Sequence, residues 1–320
     1  MKRFERTVSF YDVRIVSTSR TFDAPATIST ASALQLLQSL PPGGLVKSYS
    51  NDEQVYYVKD LQVAADGIFQ ILLNKCDRAL ADPRFSDPDR SSWRTAARQG
   101  NEGLDFSSHI LIRASDDPLA SGLAVVENAT GLSIVQVQRF LNALLRSVEA
   151  LNPAAFEFPH PDGSVDAAGR PKKYRTRFHF RFDGHPSDSL LDSLREGSIQ
   201  GIELITASNV QGMLDTHGYV REVRKTLAVK LGDEVDRQRR VPTLSSFFQQ
   251  RSPSYEKARI AFTDPDGLQR NVKVNTADFS IEADSVFVKR SVIDGFATPL
   301  EQAYEALNPD IIEKMRPLLT

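Results

Sequence analysis

Two groups of side chains have the types and spacing to do chemistry, and the first is cationic. From Arg170 to Phe182 the sequence carries six Lys or Arg and no Asp or Glu. Charged and aromatic residues alternate through Lys172-Lys173-Tyr174-Arg175-Thr176-Arg177-Phe178-His179-Phe180-Arg181-Phe182. Successive side chains of a β-strand point to opposite faces. Lys173, Arg175, Arg177, His179 and Arg181 therefore share one face, and Tyr174, Thr176, Phe178, Phe180 and Phe182 share the other. The chain's formal net charge is −2, so this positive charge is local and points to a polyanionic partner.

The second group is Glu102, Asp105, His109 and Glu127. Three carboxylates and an imidazole near one hairpin can hold a divalent metal or act as general acid and base. That chemistry makes a metal-dependent hydrolase or nuclease the enzymatic alternative. The competing structural account has Glu102 and Asp105 in a loop and His109 as a satisfied polar group at a strand's start.

Other signals are sparser. The five histidines are scattered, with no i, i+4 pair of the kind that holds a metal on a helix. Asp183-Gly184-His185 and Asp215-Thr216-His217 could ligate a metal only if brought together, and each reads as a turn. No Gly-x-Gly-x-x-Gly, P-loop or Gly-x-Ser-x-Gly occurs, so no cofactor is expected. Cys76 is the single cysteine, which rules out an intramolecular disulfide and multi-cysteine zinc sites. Trp93, among Arg90, Arg94 and Arg98 in a long polar stretch, could stack on a base or anchor a loop.

The elements that must position these groups read as follows. Strands are expected at Val8 to Val16, Gln54 to Val63, Gly67 to Leu73, Ser108 to Ala114 and Leu119 to Glu127, with a short helix from Ala31 to Leu40. Ser133 caps the clearest helix, whose Val137, Phe140, Leu141, Leu144, Leu145 and Val148 form one apolar stripe. Pro159 to Pro171 reads as a boundary or long loop. Beyond the basic strand come a helix after Ser187, with Gly197 as its C′ glycine, and strands at Ile199 to Thr206 and Val220 to Leu231. A helix from Pro242 to Gln250 and a strand from Lys257 to Thr263 complete that order. Strand, helix, strand, strand, helix, strand matches a ferredoxin-like split βαβ domain. There the strand from Val220 lies beside the basic strand, turns Leu227, Val229 and Leu231 inward, and adds Arg224 and Lys230 to one platform. Arg237, Arg239 and Arg240 follow in a loop. An added hairpin around Asp264-Pro265-Asp266-Gly267, a short strand from Val286 to Arg290, a helix opened by Thr298-Pro299-Leu300-Glu301, and a last helix from Pro309 complete the chain.

With 320 residues, two α+β domains are expected, 1–155 and 170–320, the first an antiparallel sheet with a covering helix. No apolar run reaches membrane-spanning length, and Met1-Lys2-Arg3-Phe4-Glu5-Arg6 leads into a strand, so a cytoplasmic location is expected. The expected partner is nucleic acid, DNA first, held by phosphates. The aromatics face inward, which favours backbone tracking over base reading. An acidic protein partner is the alternative, and a homo-oligomer stays open. Glu102-Gly103-Leu104-Asp105 to His109, then Val126-Glu127 and Gly131-Leu132-Ser133, resembles uncharacterised proteins encoded with bacterial phage-defence systems. The resemblance implies a DNA-sensing or effector-assisting subunit of a multi-protein complex and assigns no residue a role.

Overall fold

A computed structural model describes residues 2–206, 212–213, 221–222, 225–232 and 235–319, the four at 212–213 and 221–222 by backbone alone. Strand β1 (Arg6–Thr18) leads to helix α1 (Thr30–Gln38), then to β2 (Val46–Tyr49), β3 (Gln54–Val63) and β4 (Phe69–Asp77). A hairpin of β5 (Arg84–Asp87) and β6 (Ser92–Thr95) precedes β7 (Leu104–Arg113), β8 (Gly122–Glu127) and helix α2 (Ile134–Leu151). Short strands β9 (Glu157–Pro159) and β10 (Lys173–Arg175) pair, and β11 (Arg177–Gly184) follows. Next come α3 (Asp188–Glu196), β12 (Ser198–Ile205), β13 (Gly212–Met213), β14 (Arg221–Glu222) and β15 (Thr226–Val229). Helix α4 (Arg240–Arg251), β16 (Lys257–Thr263), β17 (Gln269–Asn275), β18 (Arg290–Ile293) and α5 (Pro309–Met315) complete the order. The class is α+β with mostly antiparallel sheets, as expected.

The chain forms two compact units, Met1–Phe182 with Ser291–Thr320, and Asp183–Arg290. This differs from the division at 155 and 170: the basic strand closes the first unit, and the C-terminal thirty residues return to it. The first unit holds an eight-stranded sheet in the order β11-β1-β8-β7-β4-β3-β2, with β18 also on β1. Alternate residues of β4 meet different layers. Lys75 stands over the Tyr56 ring, which packs on Phe140 of α2 at 6.0 Å, whereas Asn74 donates to the Tyr304 carbonyl of the C-terminal segment. Both faces are covered, so Phe69 to Leu73 is buried throughout.

The α2 stripe is buried as expected, and a full capping box, Ser133 with Gln136, starts the helix. Each large apolar side chain buried there contributes about 1.5–3 kcal/mol. On the opposite face, Val8, Phe10, Leu111 and Val125 pack against Ile311, Ile312, Met315 and Leu319. The helix expected after Thr298 does not form. Residues 298–308 are non-helical because their backbone groups are taken by side chains and strand edges. The pairing of β7 with β8 covers only Ile110 to Arg113. Below it, Ser107 N–H donates to the Gln302 carbonyl, and Tyr304 N–H donates to Ser107 Oγ. This strap occupies the edge that β8 leaves open.

In the second unit the sheet order is β15-β12-β16-β17, all antiparallel. Strand β11 pairs with β1 instead, so the ferredoxin-like pairing with the basic strand at its centre is not the one formed. Within the expected Val220 to Leu231 strand, and among the described residues, β14 pairs with β13 and β15 stands at the end of its sheet. Leu227 is exposed on it rather than inward. Gly197 is the α3 C-cap with extended backbone, not a left-handed C′ residue. Its need for glycine is steric, since a Cβ would lie 2.3 Å from the Thr263 carbonyl oxygen. Of the expected strand from Val286 to Arg290, Val286 and Phe287 are a turn, Val288 makes a single bridge to Pro186, and β18 starts only at Arg290.

Candidate functional site

The alternation that singled out the basic stretch is present as burial. Tyr174, Thr176, Phe178, Phe180 and Phe182 are buried, Lys173, Arg175 and Arg177 are exposed, and His179 and Arg181 are half-buried. The stretch is two strands rather than one. At Thr176 the N–H turns to the Phe156 carbonyl, and Lys173 to Arg175 pair with β9. Inside, Phe178 packs on Phe156 at 5.1 Å, and Phe158 packs on Tyr174 at 6.2 Å.

Strand β11 ends the sheet, and α2 covers its free edge with side chains. Asn142 accepts from Phe180 N–H at 2.6 Å and donates to the Phe180 carbonyl at 3.1 Å, and Gln138 accepts from Phe182 N–H at 2.9 Å. Two side-chain amides thus stand in for a ninth strand. The same helix face continues to Arg146 and Glu149, one and two turns beyond Asn142. Glu149 Oε1 lies 3.0 Å from Arg175 Nε and 3.8 Å from Arg177 Nε. Both arginine side chains keep more than half their surface exposed, at 54% and 55%. Burial, then Arg146 and Arg177, hold the His179 pKa below its ordinary value. Lys173 is within 3.7 Å of Glu157. The cluster is therefore Arg146, Arg175, Arg177 and His179 around the largely buried Glu149 carboxylate, with Lys173 beside the more exposed Glu157.

Arg146 and Glu149 were not expected in the site. The signal for them was the polar row Gln138, Asn142, Arg146 and Glu149 on the side of α2 away from its apolar stripe. Lys172 is exposed beside Lys173. The remaining expected cations fall elsewhere. Arg224 lies outside the described residues, as does Asp215-Thr216-His217. Lys230 borders a shallow hollow on the four-stranded sheet with Arg259, floored by Gly201, Ala228 and Ala261. Arg237 pairs with Glu196 at 3.5 Å, Arg239 is exposed, and Arg240 donates to the Arg195 and Gly197 carbonyls at the end of α3. Arg240 is thus spent on a helix C-terminus. The two strands expected side by side are not neighbours in one sheet: β11 belongs to the eight-stranded sheet and β15 to the four-stranded one.

The carboxylate–imidazole group is also reassigned. His109 and Glu127 meet, but at 0% and 1% exposure. His109 Nδ1 lies 2.6 Å from Glu127 Oε2, and Asn308 N–H donates to Nε2 at 3.0 Å. An accepting Nε2 puts the proton on Nδ1, which donates to Glu127. Glu127 Oε1 takes Arg6 Nε at 2.8 Å, and Arg6 also donates to the Glu5 and Glu301 carbonyls. Both imidazole nitrogens and both carboxylate oxygens are occupied, so this network fixes β1, β7, β8 and the strap together. Asp105 sits apart, accepting from Tyr57 Oη at 2.7 Å and Asn74 Nδ2 at 2.9 Å, and Glu102 is an exposed loop residue accepting from Gln99 N–H. Burial, followed by the Asp105 carboxylate, pushes the Tyr57 pKa up. The four residues form no open acid–base site.

Compared with protein-family models, curated proteins and solved structures, the chain matches none. Among the described residues, no helix is long and apolar enough to cross a membrane.

Proposed function

We propose that this chain binds nucleic acid through its phosphate backbone, DNA before RNA, with Lys173, Arg175 and Arg177 as the main contacts. The observation that carries the reading is the pair of half-exposed arginines sharing one carboxylate. Their net charge with Glu149 is +1, Glu149 meets each at Nε, and a guanidinium carries five N–H donors in all. Phosphate oxygens are the acceptors such a surface suits best. Lys172, Arg146 and Arg181 extend it, and His179 adds charge when protonated. Binding then rests on Coulomb attraction and counterion release, with little sequence preference, because the strand's aromatics are buried.

The resemblance to phage-defence proteins suggests the wider setting, a cytoplasmic DNA-sensing subunit that works with other proteins. The test is fluorescence anisotropy with labelled single- and double-stranded DNA and RNA at two salt concentrations, for wild type and Arg175→Glu/Arg177→Glu. Wild-type affinity should fall steeply with salt. The double variant, folded by circular dichroism, should lose roughly two phosphate contacts from the salt slope, at about 0.9 each on duplex DNA. Absence of binding at low salt would end this reading.

A further inference from the structure

The β5–β6 hairpin of the first unit is built differently from the basic strand. Arg84, Arg90 and Arg94 stand against Asp87 and Asp89, Arg90 pairs with Asp87 at 3.6 Å, and the other two arginines lie on aromatic rings. Trp93 is 62% exposed and Phe85 50% exposed, both on a two-stranded ribbon. Each ring carries one arginine. The Arg84 guanidinium lies 4.3 Å from the Trp93 ring centroid, and that of Arg94 lies 4.4 Å from the Phe85 centroid. In the register, Phe85 opposes Arg94 and Ser86 opposes Trp93. Arg84, Ser86 and Trp93 therefore share one face of the ribbon, and Phe85 and Arg94 share the other. Its base is fixed, since Ala96 N–H donates to the Pro83 carbonyl at 3.0 Å, and Arg98 donates to the Arg78 carbonyl and pairs with Asp82.

We propose that this hairpin stacks unpaired bases of a single-stranded nucleic acid, Trp93 taking a base on one face and Phe85 on the other. The proposal rests on the nucleic-acid reading above and names the form of polymer. A ring with one side under a guanidinium keeps its remaining surface for a second planar group, and the guanidinium edge beside it suits the neighbouring phosphate. A membrane or an apolar protein surface would have to strip water from both arginines to reach the rings. A nucleic-acid strand supplies a partner for each group. Stacking between arginine and ring also holds a ribbon that is marginal alone, so the rings are arranged before the ligand arrives.

Trp93 is the chain's single tryptophan, so intrinsic tryptophan fluorescence reports this site alone. The experiment titrates the full chain with an unlabelled deoxythymidine oligonucleotide, its duplex with deoxyadenosine, and polyglutamate. In parallel, anisotropy gives the affinity of wild type, Trp93→Leu, Trp93→Phe and Arg175→Glu/Arg177→Glu. The expected result is quenching by the single strand and none by the duplex. Trp93→Leu, which keeps apolar bulk without a π-face, should weaken single-strand binding about tenfold and leave duplex binding unchanged; Trp93→Phe should restore most of the loss. Single-strand binding without quenching, and unaltered in Trp93→Leu, overturns the stacking role while leaving the basic strand's role standing. Equal quenching by polyglutamate overturns it in favour of an acidic protein partner. Absence of binding by either polymer removes both proposals.

Discussion

The first unit contains the same three side-chain types twice, an arginine, a glutamate and a histidine, with opposite consequences. In the interior, Arg6, Glu127 and His109 form a closed network whose donors and acceptors are used within the fold. At the edge of the sheet, Arg175, Arg177, Glu149 and His179 form an open one, with two cations to one carboxylate and half of each arginine in water. Water access and charge balance, not residue type, separate a structural clamp from a surface able to take a ligand. A buried ion pair must be balanced because an unpaired charge there is expensive; a surface cluster can carry an excess because solvent screens it.

Substitution of the two glutamates should break this comparison most visibly. Glu127→Gln leaves the Arg6 charge buried without its partner and should cost about 3–5 kcal/mol, read as a lower denaturant midpoint. Stability left within about 1 kcal/mol of wild type would show the network to be less closed than its geometry. The arginine double variant should lose affinity at a smaller stability cost than Glu127→Gln, since Glu149, left beside two new carboxylates, keeps some contact with solvent at 11% exposure. A smaller effect comes from Tyr57→Phe, which removes one of two donors to Asp105 and should cost about 1 kcal/mol.

His179 sharpens the comparison through pH. Its folded-state pKa lies below the ordinary value of about 6.5. The unfolded chain therefore binds a proton more readily than the fold, and stability from this group is lost as pH falls through that value. A bound phosphate reverses the preference, because it favours the imidazolium. Acidification from about pH 7.5 to 5.5 should tighten DNA binding a few-fold, and His179→Gln should flatten the profile. Measuring anisotropy across that range, at constant ionic strength, checks it.

Much of the secondary structure was legible from periodicity. The α2 stripe, β1 and the aromatic–basic alternation bury the residues that their spacing selects, and β3 and β4 form where strands are expected, although only Tyr56 of β3 is buried and β4 is covered on both faces. Failures came where a distant segment decided the outcome. Thr298-Pro299-Leu300-Glu301 has the local chemistry of a helix start, yet hydrogen bonds to Arg3, Arg6 and Ser107 hold the segment in a non-helical path. Local order likewise suggested a ferredoxin-like sheet, while β11 found its partner in β1, more than 150 residues earlier in the chain. For the site, the cations of the strand were visible, but Glu149 and Arg146 belong to a helix whose polar face had no evident neighbour until β11 docked beside it. The Glu102, Asp105, His109 and Glu127 set shows the converse, since proximity in sequence brought His109 to Glu127 but left no room for a substrate.

The most direct measurement is the affinity of Glu149→Gln for labelled DNA beside wild type, at one low salt concentration. Glu149 is the carboxylate that holds down the charge of Arg175 and Arg177, so its neutralisation should tighten binding, by about three- to tenfold. Unchanged or weaker binding by a folded variant would contradict the assignment of this cluster to phosphate.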